Sequence, residues 1–84
     1  SKYIAGEGSA YSTIADTYSE IGNSKNAEIY YSKAVQLLRK TNDSISLATT
    51  LLNAGDEYFN NKKFNLALQN YEESGFIFKN KNYL

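Results

Sequence analysis

The chain repeats itself. Displaced by 40 positions against its own copy, Asp16, Tyr18, Ala27, Tyr31 and Asn42 fall on Asp56, Tyr58, Ala67, Tyr71 and Asn82. Conservative pairs fill the intervals: Tyr11 with Leu51, Ala15 with Gly55, Ala34 with Ser74, Leu37 with Ile77, Arg39 with Lys79. Two copies of 40 account for 80 of the 84 residues, with the first copy at about 4–43 and the second at about 44–83. Units of this size cannot bury an apolar face alone, so like units stack and share one continuous core. The expected architecture is therefore a short array within a single domain over residues 1–84, not a closed four-helix bundle.

Each copy reads as a pair of helices. Tyr11, Ile14, Ala15 and Tyr18 stand at i, i+3, i+4 and i+7, one face of a helix. Gly22-Asn23-Ser24 breaks the run, with Ser24 as the expected cap of the next helix. Ala27, Tyr31, Ala34 and Leu38 form a second stripe, and Asn42-Asp43-Ser44 a second break, capped by Asp43 or Ser44. Leu47, Leu51, Ala54, Gly55 and Tyr58 form the third stripe, and Ala67, Tyr71, Ser74 and Phe78 the fourth. Four helices are expected, at about 7–21, 24–41, 44–60 and 63–80, and no strand, because period-two alternation is nowhere sustained. Gly6 and Gly8 lack the third glycine and the preceding strand of a dinucleotide loop, so they read as a frayed start.

Composition narrows the function. Cysteine, histidine, proline, methionine and tryptophan are all absent, which removes disulfides, thiolate or imidazole metal sites and any Cys or His nucleophile. No cofactor and no catalytic residue is expected. Nine basic and nine acidic residues balance, without the basic excess that phosphate contacts require, so nucleic acid is not an expected partner. No apolar run is long enough for a membrane span and no signal-peptide pattern is present, so the expected setting is cytoplasmic. Asp16 with Glu20 is an i, i+4 carboxylate pair, but nothing supplies further metal ligands or a pocket that would shift an acid.

Both copies resemble the tetratricopeptide repeat. The first carries Tyr11-x-x-Ile14-Ala15-x-x-Tyr18 and then Ala27, Tyr31 and Ala34; the second carries Leu51-x-x-Ala54-Gly55-x-x-Tyr58 and then Ala67, Tyr71 and Ser74. The closing proline of the family is missing, and the spacing is 40 where the common form has 34. The longer spacing is similar to repeats of kinesin light chains, spindle-orientation scaffolds and bacterial sensor or regulator proteins. There the second helix of each pair is extended, which falls here on Leu37, Leu38, Ile77 and Phe78. The resemblance implies an all-α, right-handed solenoid fragment of two helix-turn-helix repeats.

It also implies a site. The first helix of each pair lines a concave groove that holds an extended peptide or a partner helix. The positions that should face it are Ser9, Ser12, Thr13, Asp16 and Glu20, and then Thr49, Leu52, Asn53, Asp56, Asn60 and Phe59. Asn53 matches an asparagine that relatives of this spacing use to hold a peptide backbone, a task suited to a group that both donates and accepts. Ser12 and Asp16 stand where chaperone-binding members carry Lys and Asn, so a carboxylate clamp is not expected. Charge separates by helix: Glu7, Asp16, Glu20, Asp56 and Glu57 lie on the first helices as bounded above, which hold no Lys or Arg. An acidic groove favours basic or neutral ligands.

The expected role is thus a protein-interaction module, part of a larger signalling or scaffold protein; the alternative is a spacer that only stacks between neighbours. Phe64, Leu68, Phe76, Ile77 and Phe78 on the last helix, and a first helix without a predecessor, suggest a piece of a longer array whose ends associate with other copies.

Overall fold

The computed structural model describes residues 2–81, with side chains from residue 6 onward. It contains four helices, α1 (Lys2–Glu20), α2 (Ser24–Leu38), α3 (Ser44–Asn60) and α4 (Phe64–Asn80), and no strand among the described residues. α1 pairs with α2 and α3 with α4, α2 lies against α3, and α1 meets α3 along a narrower seam. No Cα approach within 8 Å joins α4 to α1 or α2 among the described residues. The topology is that of a stacked array, as the repeat implied. Asn82, the last match of the repeat, lies outside the described residues.

The sequence stripes become the core, except at Ile14, which is 39% exposed on the outer face of α1. Ala15, Ala27, Ala34, Ala48 and Ala67 are at most 1% exposed, and their small side chains let helix pairs approach closely. Ala15, Ala27 and Tyr31 of the first repeat cluster with Ala54 of the second, with Tyr18, Tyr30 and Tyr58 packed around them. Leu38 and Leu51 are the largest apolar side chains that are fully buried. Tyr30 lies within 5.7 Å of the Tyr11 ring and 5.6 Å of the Tyr18 ring, a ladder that joins α2 to α1.

Three local expectations need correction. α1 begins at Lys2 instead of residue 7, so a first helix does carry a basic residue. Gly8 is not frayed: a Cβ there would stand 2.8 Å from Leu38 Cγ, so the glycine admits the α2 leucine. The cap of α2 is Asn23, whose side chain accepts from the Asn26 amide, and not Ser24, the first residue of the helix. Of the two candidates for the cap of α3 it is Asp43, accepting from the amide and hydroxyl of Ser46 at 3.0 and 2.6 Å. That doubly satisfied carboxylate is held below its ordinary pKa, first by the Ser46 hydroxyl.

Candidate groove between the first helices

α1 and α3 run side by side, with Ser12 Oγ and Thr50 Oγ1 3.1 Å apart across the seam. The trough between them has two halves of different chemistry. Towards the helix N-termini, Ser9, Ser12, Thr13, Ile45, Ser46, Thr49 and Thr50 line a neutral hollow of 250 Å³. Towards the C-termini, Asp16, Ser19, Glu20, Tyr31, Asn53 and Asp56 line an acidic one of 270 Å³.

The two aspartates are held in the same way. Tyr31 donates its hydroxyl to Asp16 Oδ1, and Tyr71 donates to Asp56 Oδ1 at 2.5 Å. Each bond crosses from the second helix of a repeat to its first, over 15 residues in both copies. The phenols record the contact. Tyr71 is pushed up to about 12, chiefly by the bond to Asp56; Tyr31 is raised still further, by burial first and then by its bond to Asp16. A charge-assisted bond of this kind fixes a carboxylate without neutralising it.

Eight of the expected groove residues therefore line one trough: Ser9, Ser12, Thr13, Asp16, Glu20, Thr49, Asn53 and Asp56. Three do not line either half. Leu52 is exposed outside both hollows, Asn60 is exposed at the last residue of α3, and the Phe59 ring packs edge-on against Phe64 of α4 at 5.3 Å. Glu57, counted among the groove acids from sequence, is only 4% exposed. It is close enough to Tyr31 of α2 to raise that phenol. Ile45, Ser46, Thr50, Ser19 and Tyr31 also line the trough, beyond the residues that the sequence singles out. For Tyr31 there was a signal, since its pairing with Asp16 recurs at the repeat distance as Tyr71 with Asp56.

A family model of the tetratricopeptide repeat matches residues 6–74. The chain belongs to the tetratricopeptide repeat family. No curated protein and no solved structure matches it. Tetratricopeptide repeats are non-catalytic modules that mediate protein–protein interactions, and stacking them creates the extended concave surface that does so. No helix among the described residues is long and apolar enough to cross a membrane.

Proposed function

We propose that the chain takes a basic or neutral extended peptide, or one face of a partner helix, into the trough between α1 and α3. The module would serve within a larger signalling or scaffold protein of the cytoplasm. The observation that carries this reading is the repeated anchoring of Asp16 by Tyr31 and of Asp56 by Tyr71. A carboxylate already held in place loses little freedom when a cation docks on it, so less of the interaction is lost to ordering. Asn53 lines the same hollow and offers a carboxamide that can both donate to and accept from a peptide backbone. The neutral, hydroxyl-lined half would take the uncharged end of such a ligand.

Fluorescence anisotropy with a labelled Lys/Arg-rich decapeptide, against an acidic control, tests the reading. Asp16→Asn with Asp56→Asn keeps the oxygens that accept from the tyrosines and removes both charges. The basic peptide should bind the double variant roughly two- to thirtyfold more weakly, two solvent-accessible ion pairs being worth about 0.2–1 kcal/mol each. Equal binding of the two peptides, or unchanged binding by the double variant, rejects the acidic groove and leaves the stacking spacer.

A further inference from the structure

The interface inside the chain is a template for a second one outside it. Val35 of α2 shares one pocket with Leu51, Ala54 and Tyr58 of α3. At its edge Glu28 of α2 accepts from Asn61 at 2.5 Å and from Lys63 at 2.7 Å. Displacement by one repeat puts α4 in the place of α2 and α1 in the place of α3. The substitutions that this exchange brings are paired. Gly75 replaces Val35 while Ile14 replaces Ala54, so large and small have changed sides and the summed bulk is kept. Leu68 replaces Glu28 while Ile21 replaces Asn61, so a polar contact becomes an apolar one on both sides at once.

Both surfaces are open in the described structure. Ile14, Leu68 and Ile21 are 39%, 56% and 70% exposed, and nothing lies within 4 Å of the position a Cβ would take on Gly75. On α1, Ile14, Tyr18 and Ile21 with Thr13 and Thr17 line a hollow of 350 Å³. The two threonine hydroxyls donate to the carbonyls of Ser9 and Thr13 at 3.1 and 3.0 Å, so burying them leaves no donor unmet.

We propose that α4 of one molecule docks on α1 of a second copy, in the register in which α2 docks on α3. The contact is heterologous, so it leaves a free face at each end and growth does not stop at a dimer. One position opposes it. Lys79 replaces Arg39 and Lys33 replaces Glu73, so the bidentate ion pair of the internal interface, at 2.5 and 2.8 Å, becomes two facing cations. Salt screens that repulsion, and association therefore strengthens as ionic strength rises.

Sedimentation velocity of the 84-residue chain from micromolar to millimolar concentration reads the outcome. The weight-average mass should rise with concentration beyond that of a dimer. Leu68→Glu alone and Ile21→Lys alone should each abolish the rise, and the two together should restore it by placing a charge-assisted contact where Glu28 meets Asn61 in the internal interface. Lys33→Glu should shift the onset to concentrations roughly fivefold lower, about what one surface ion pair contributes. Circular dichroism establishes that every variant keeps its helices. A monomer at all concentrations, a species that stops at two, single variants that assemble like the parent, or no recovery in the double variant would each overturn the register.

Discussion

Tyr31 and Tyr71 do the same job in two environments, and the difference sets what each contributes. Tyr31 is 3% exposed and donates to a half-buried Asp16, whereas Tyr71 is half-buried over an exposed Asp56. Hydrogen bonds to charged groups contribute about 1.5–3 kcal/mol when sheltered and less where water can replace the partner. Tyr31→Phe should therefore lower the unfolding free energy by about 1.5 kcal/mol and Tyr71→Phe by about half of that, measured by urea denaturation. The same bonds set a pH dependence. Both phenols are raised in the folded chain, Tyr71 from 10.0 to about 12, so the folded state holds these protons more tightly than the unfolded one. Their contribution is complete below pH 10.0 and is lost as pH climbs through 12 and beyond. The urea midpoint should fall over that alkaline window, and less steeply in the double Phe variant; equal slopes would show that other groups govern the fall.

The helix ends show what local sequence could and could not disclose. Asn42-Asp43-Ser44 ahead of an apolar stripe marked the start of α3, because a cap is a short-range bond between neighbours in the chain. Helix α1 starts earlier than its glycines suggested, since Gly8 answers to Leu38, a residue 30 positions away that local propensity cannot register. On sequence alone Asp56 and Glu57 both count as groove acids, but adjacent helical residues point roughly 100° apart. The first therefore reaches the trough and the second is buried, a distinction that exists only once the neighbouring helices are placed. The two turns within the repeats differ by one residue that matters. Gly22 has φ +81°, and its counterpart Lys62 sits at +65° with a side chain that this region disfavours. Left-handed backbone costs an L-residue about 1–2 kcal/mol, partly offset by the greater unfolded freedom of glycine. Lys62→Gly should raise stability by about 0.5–1 kcal/mol, while Gly22→Ala should lower it by at least as much. Thermal unfolding of the two variants beside the parent reads both signs, and a destabilised Lys62→Gly would mean that the lysine stem packs usefully on the turn.

At the scale of the whole molecule the array is a thin slab, 30 × 27 × 16 Å, whose interior is made mostly of alanine. With so few large side chains inside, coupling between the repeats rests either on the packing around Leu51 or on polar ties across the seam. Arg39 bonded to Glu73 is the most conspicuous tie, but its side chains are 49% and 36% exposed. A pair so open to water is worth under about 1 kcal/mol even when bidentate. Leu51 is 1% exposed and stands at the seam with Val35 and Tyr31 of the preceding helix, so truncating it opens a cavity between the repeats. Leu51→Ala should cost about 3 kcal/mol. For 84 residues a total stability of roughly 4–13 kcal/mol is ordinary, so that single loss is a large part of the whole. It should also broaden the urea transition, because α1 and α2 would no longer depend on α3 for cover. Arg39→Gln with Glu73→Gln should leave the transition sharp, and its small effect should vanish in molar salt. If the charge-neutral pair instead cost as much as Leu51→Ala and broadened the transition, the two repeats would be joined by the ion pair, and the alanine-lined seam would be only a spacer between them.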